Sequence, residues 1–203
     1  MKKYAVLHEP GDIVTLAGTR FVVLDVERRG SLPDSLFLLA LESVGASEFG
    51  SSNNYAESDL KKAVDKWLED MGKRGLDNAK LIPREIDLTT LDGSGCYGKL
   101  SVKAAPLTLD EAREYADIIP NAERWCWLAT GWSGPSKSDG DLALCVSSSG
   151  VWYRGGCSYS DGIRPALKAP SILFEDSEAG LDLSKIPTDD LLQEIHRRLA
   201  EKA

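Results

Sequence analysis

Histidine is nearly missing from this chain: of 203 residues only His8 and His196 carry an imidazole. Nucleophilic catalysis by the common routes sets an imidazole beside a Ser or Cys. His8 lies at the very start and His196 follows Ile195 in a helical pattern, so neither is placed for such a role. Cysteine is sparse as well. Cys96, Cys126, Cys145 and Cys157 form no CxxC pair and have no histidine nearby, which removes the usual zinc patterns. They read as reduced, mostly buried thiols, with a disulfide among Cys126, Cys145 and Cys157 only if the protein works outside the cell. No apolar run approaches the ~20 residues that span a bilayer. Lys2 and Lys3 imitate the start of a signal peptide, but His8, Glu9, Pro10 and Asp12 interrupt any apolar region behind them. The expectation is a cytoplasmic or virion-associated protein with no signal peptide and no membrane partner.

Positive charge is also short. There are 24 Lys and Arg against 32 Asp and Glu, a formal net charge of -8. The basic pairs, such as Arg28-Arg29 and Lys73-Arg74, are scattered, whereas phosphate recognition needs them clustered. Nucleic acid is therefore not an expected partner, although an acidic chain can occupy a basic site on another protein as a nucleic-acid mimic does. What is present is an ordinary globular balance: 42% hydrophobic and 28% charged residues support a single core-forming domain.

The first forty residues read as an antiparallel meander. Ile13–Leu16, Arg20–Val26 and Leu36–Leu41 are β-rich apolar runs separated by Ala17-Gly18-Thr19 and by the Arg29–Asp34 turn. Residues 42–57 are polar and rich in Gly, Ser and Asn, and read as a long loop. Ser58 caps an amphipathic helix whose stripe is Leu60, Val64, Trp67, Leu68 and Met71. A short strand or turn follows around Leu81–Leu88. Thr108 with Glu111 makes a capping box for a second helix, which uses Leu109, Ala112, Tyr115, Ala116 and Ile119 and stops at Pro120. From Trp125 to Leu167, apolar-aromatic pieces alternate with Gly, Ser and Asp, the pattern of short strands in irregular loops. Residues 171–187 read as an acidic linker. Thr188 caps a terminal helix, 188–203, with a Leu191, Leu192, Ile195 and Leu199 stripe. That helix has three open roles: docking on the domain, homo-oligomer formation, or gripping a partner.

Gly93–Leu100 comes near the phosphate-loop pattern, but Leu100 stands where a magnesium-binding hydroxyl is needed and no helix follows. It reads as a glycine-rich turn. Asp139 and Asp141 are close, yet no fuller set of oxygen ligands for calcium accompanies them. No metal and no cofactor is expected. Arg164, before a proline in a strand-like setting, reads as a buried structural guanidinium bonded to loop carbonyls.

Trp125-Cys126-Trp127-Leu128, a Ser-Ser-Gly turn, and the closing Gly162-Ile163-Arg164-Pro165-Ala166-Leu167 resemble the motifs of an uncharacterised domain family of gut-dwelling Firmicutes and their phages, with a C-type-lectin-like fold. The usual family forms are Trp-Trp-Leu-Arg-Ser and Gly-Val-Arg-Pro-Ala. Tyr55–Leu60 with Trp67-Leu68 is similar to the family's Ser-x-Leu-Arg-x-Trp-Leu helix, so the resemblance covers residues 10–170. Cys126 and Ala129-Thr130 depart from it. The resemblance implies an α+β C-type-lectin-like domain over residues 1–170: short antiparallel strands, two packed helices and long loops, with the C-terminal helix beyond it. More distantly, Val151–Cys157 resembles a segment of formylglycine-generating enzymes, although Cys145 and Cys157 do not match the spacing of their copper-binding pair.

Retroelement variable proteins share this fold and place ligand contacts just before the closing motif. By that likeness the candidate contacts are Trp132, Ser136, Lys137, Asp139, Trp152, Tyr153 and Tyr159, with Trp125, Trp127 and Arg164 structural. The implied function is a non-enzymatic, phage or prophage-type binding protein that recognises a protein or glycan, as a host-surface binder or a blocker of a host defence component. A divergent oxidase of the formylglycine-generating superfamily and a structural assembly subunit are the alternatives. Fold likeness alone does not decide among them.

Overall fold

The computed structural model describes residues 8–29, 32–135 and 137–174, together with the helical positions Thr188 and Leu192. In chain order the elements are β1 (Ile13–Leu16), β2 (Thr19–Arg29), β3 (Leu32–Ala40), β4 (Ala46–Glu48), a 3₁₀ turn (Tyr55–Glu57), α1 (Asp59–Lys73), β5 (Arg84–Asp87), β6 (Lys99–Val102), β7 (Ala104–Ala105), α2 (Leu109–Glu114), β8 (Cys126–Gly131), β9 (Leu142–Val146), β10 (Trp152–Gly156), β11 (Ser160–Gly162), β12 (Ala166–Pro170) and a second 3₁₀ turn (Ser171–Phe174). The architecture is α+β with mostly antiparallel pairing. One five-stranded sheet runs β1-β2-β3-β12-β7, a second runs β10-β9-β8-β11-β4, and β5 pairs with β6. The single parallel contact described is β11 with β8, at Gly162 and Cys126.

The meander forms on the predicted apolar runs, but β2 and β3 extend beyond them, so that Arg29 and Leu32, Pro33 and Asp34, expected as turn, lie in the strands. Ala17 and Gly18, both at positive φ, turn β1 into β2, a conformation that glycine takes without steric cost. Side chains then alternate between the two faces of the sheet. Phe21, Val23, Leu36, Leu38 and Ala40 enter one core with Leu60, Val64 and Met71 of α1. Val22, Leu24, Leu39 and Leu41 enter a second core with Leu109 and Ala112 of α2. The second sheet joins both cores: Trp127, Ala129, Ala143 and Cys145 face the first, and Leu128 and Leu144 face the second. Strand β8 is buried along its whole length, which is why its sequence shows no polar alternation.

The caps also stand as read. Ser58 Oγ accepts from the Lys61 N–H, and Thr108 with Glu111 forms a complete capping box. Glu111 also pairs with Arg84, whose guanidinium donates to the Ala105 and Pro106 carbonyls. The second helix is shorter than the sequence predicts. It gives way at Tyr115 to turns; Tyr115, Ile118 and Ile119 still pack against the second core, while Ala116, expected on the buried side, is exposed. Within residues 42–57, read as loop, Ala46–Glu48 adds a strand to the edge of the second sheet by pairing with β11.

Ser171–Phe174, expected as the start of a linker, forms a 3₁₀ turn with Phe174 buried and His8 edge-on to its ring at 5.8 Å. His8 is thus packed rather than frayed. Thr188 and Leu192 are helical; the rest of the linker and the remainder of the terminal helix lie outside the described residues.

Candidate functional site

Strand β10 is one edge of the second sheet, pairing with β9 alone among the described residues, from Trp152 opposite Val146 to Gly156 opposite Leu142. Edge strands show a row of unpaired backbone groups, and here the row carries large aromatic side chains. Trp152, Tyr153 and Tyr159 are all exposed. Strand alternation sends Tyr153 to the same side as Cys145 and Trp127, and Trp152 and Arg154 to the opposite side.

On the first side, Tyr153 packs against Trp125, ring centroids 4.9 Å apart. This corrects the expectation that Trp125 is core: it remains 41% exposed, whereas Trp127 is only 1% exposed. Trp125 is on the same side as Trp127 but precedes the first residue of β8, beyond the fully buried strand. Trp127 is fixed by its indole N–H, which donates to the Ser47 carbonyl at 2.9 Å, and by edge-on contact with Phe49. Gly155 makes room for it, since a Cβ there lies 2.9 Å from the indole.

On the other side, Arg154 lies over the Trp132 ring at 4.8 Å and Arg113 over Trp152 at 5.6 Å, both within cation–π range. Trp132 is half-buried against the second core. The remaining candidates are more scattered. Lys137 is paired with Asp92, and this contact holds the Asp92 carboxyl well below the usual carboxylate range. Asp139 sits in a turn where its carbonyl accepts from the Leu142 N–H. Ser136 lies outside the described residues. The structure therefore brings together Tyr153 and Trp125, sets Trp152 on the opposite side of β10 and Tyr159 in the turn after it, and leaves Trp132, Lys137 and Asp139 in the loop between β8 and β9.

The loop that follows β8 is held by a residue the sequence did not flag. Asn53, fully buried, donates from Nδ2 to the Ser133 and Leu142 carbonyls and accepts from the Tyr97 hydroxyl at 2.6 Å. Buried amides are costly unless satisfied, and this one is. Its only signal was an Asn-Asn pair within a polar stretch.

Arg164 is buried as expected, with 7% of its surface exposed. Its Nε donates to the Ala40 carbonyl at 2.7 Å and Nη1 to the Pro120 carbonyl at 2.9 Å. Residues that meet in the closing motif thereby clasp the end of β3 and the segment after α2.

The glycine-rich stretch is a turn: Gly93 and Gly98 have positive φ, and Leu100 lies on β6 with no helix behind it. Cys126, Cys145 and Cys157 are buried free thiols, raised by burial to about 11, about 12 and about 12, so all three are protonated at neutral pH. Cys96 is exposed. Among the described residues no three His, Cys, Asp or Glu side chains gather in a way that holds a metal ion. No described helix is long and apolar enough to cross a membrane.

No family model, no curated protein and no solved structure matches this chain.

Proposed function

We propose that this chain is a non-enzymatic binding protein of the C-type-lectin-like kind, phage or prophage derived, that recognises a protein or glycan through the strands and loops of its C-terminal half. The observation that carries the reading is the set of exposed aromatic side chains at the β10 edge: the Trp125–Tyr153 pair on one side, Trp152 on the other, and Tyr159 in the turn that follows. Aromatic rings left in water without a burial role are expensive to keep exposed, and they supply large contact areas at low entropic cost when a partner covers them. Their neighbours suit recognition too. Arg113 and Arg154 put cations on Trp152 and Trp132, and the free edge of β10 offers backbone donors and acceptors to an extended segment.

The test is a paired binding screen with the full chain: a glycan array, and capture from host and phage-infected lysates. The comparison is a Trp125→Ala/Tyr153→Ala variant. Both side chains are exposed, so the variant keeps the native thermal unfolding midpoint and backbone amide fingerprint away from the substituted positions. A defined glycan or a single protein retained by the wild type and lost by the variant supports the proposal. Ligands retained equally by both, or none from either arm, refute it.

A further inference from the structure

On the Trp152 side of β10 a cavity of about 270 Å³ opens between the segment that follows α2 and strands β8 and β9. Leu39, Leu107, Ile119, Leu128 and Val146 give it an apolar wall, Asn121, Ser147 and Ser149 line it with polar groups, and the exposed Trp152 stands among its lining residues. Arg164 also lines it. A guanidinium carries five N–H donors. Two of Arg164's are used on backbone carbonyls, while Nη2 is sealed from water and has no hydrogen-bond partner among the described residues. The carboxylate whose field it feels is Glu42, yet burial outweighs it and pulls the Arg164 pKa down. A cation taken out of water without a counter-anion is a large local cost, and clasping two carbonyls does not require it to carry unmet donors.

We propose that this cavity binds a small monocarboxylate with an apolar body, its carboxylate paired with Arg164. The two halves of the site match the two halves of such a ligand: an apolar wall for the body, and a cation without an ion-pair partner among the described residues for the acid group. Ser147 and Ser149, whose hydroxyls bond to each other at 3.0 Å, add polar groups at the side of the cavity. The volume of about 270 Å³ falls just below the ~300 Å³ at which ligand pockets usually begin, so the occupant is a compact molecule and not a polymer. Because Nη2 is covered in the empty cavity, seating the carboxylate takes a side-chain adjustment of the kind common on binding. The inference does not rest on macromolecular recognition at Trp125 and Tyr153.

The probe is 3-phenylpropanoate titrated into the uniformly ¹⁵N-labelled full chain, with 3-phenylpropanamide as the uncharged isostere. Saturable shifts are expected at the Arg164 Nε–H, the Trp152 indole N–H and the Gly150 amide, with the amide binding about tenfold or more weakly. Arg164→Gln should weaken the acid to the level of the amide. Since that change also disturbs the clasp on Ala40 and Pro120, Ala116→Trp is the second variant. Ala116 is exposed and lines the cavity, so a tryptophan there blocks the probe while the remaining spectrum stays native. Tyr153→Ala should leave probe binding unchanged, which separates this test from that of the aromatic surface. The proposal is overturned by no saturable shifts at millimolar probe, by equal binding of acid and amide, or by undiminished binding to a folded Ala116→Trp variant.

Discussion

Gly155→Ala probes how tightly the second sheet is packed. A Cβ at this position falls 2.9 Å from Trp127 Cη2 and 3.1 Å from Cζ3. The indole has little freedom to withdraw, because its N–H is committed to the Ser47 carbonyl and Phe49 stands edge-on at 5.5 Å. The edge strand must therefore move outward or the ring must leave its rotamer. Overpacking of this kind costs about 1–3 kcal/mol, or a fall in Tm of about 2–12 °C for a chain of this length. Trp127→Phe destabilises by a different route, removing ring volume and leaving the Ser47 carbonyl without its donor, at about 2–3 kcal/mol. The clashing atoms belong to the six-membered part of the indole, beyond the reach of phenylalanine. The double variant should accordingly be less destabilised than the two single effects summed, by at least ~1 kcal/mol. Urea unfolding followed by far-UV circular dichroism measures all four corners of the cycle. Additivity within ~0.5 kcal/mol would refute the reasoning.

The thiols give a second prediction. In the folded protein at pH 7 a maleimide should modify Cys96 alone, because Cys126, Cys145 and Cys157 are buried and protonated; intact mass should show one adduct natively and four after denaturation. Rapid modification of a second native thiol would contradict the burial described. A third concerns acid. His8 is lowered from its usual 6.5, chiefly by burial against its surroundings and partly restored by Asp12. The folded state thus binds the proton less well than the unfolded one, so the stability from burying a neutral imidazole is present above about pH 6.5 and is lost as pH falls toward the depressed folded value. His8→Phe, keeping the contact with Phe174, should flatten that part of the stability–pH profile; an unchanged slope would show that His8 does not report the transition.

Local signals in the sequence were sufficient for the local structure. The β1–β3 meander, the Ser58 cap and the Thr108 box each depend on residues within a few positions of one another, and each is where the pattern puts it. Pairings across long separations left no such mark. Nothing in Ala46–Glu48 announces a partner more than a hundred residues away in β11, and the two residues of β7 are too few to show a period. At the site, Tyr153 and Trp152 were legible because a turn and an alternating strand surround them. Trp125 was not, since the pattern does not show that β8 begins at Cys126 and leaves Trp125 outside the buried strand. The acceptor-poor surroundings of Arg164 were also invisible: the sequence suggests its carbonyl partners but not which of its N–H groups remain without one.

The position of β12 has a consequence for how the protein is made. This strand lies between β3 and β7, bonded to Leu36–Leu39 on one side and to Ala104–Ala105 on the other. A ribosome releasing about 5–20 residues per second needs roughly 6–25 s after β3 has emerged before β12 follows. Throughout that interval β3 presents an open edge with Leu36, Leu38 and Leu39, which end up almost completely buried. The nascent chain therefore passes through a sticky stage set by its strand order, and conditions that slow translation of the last third should lengthen its exposure to chaperones and to other chains.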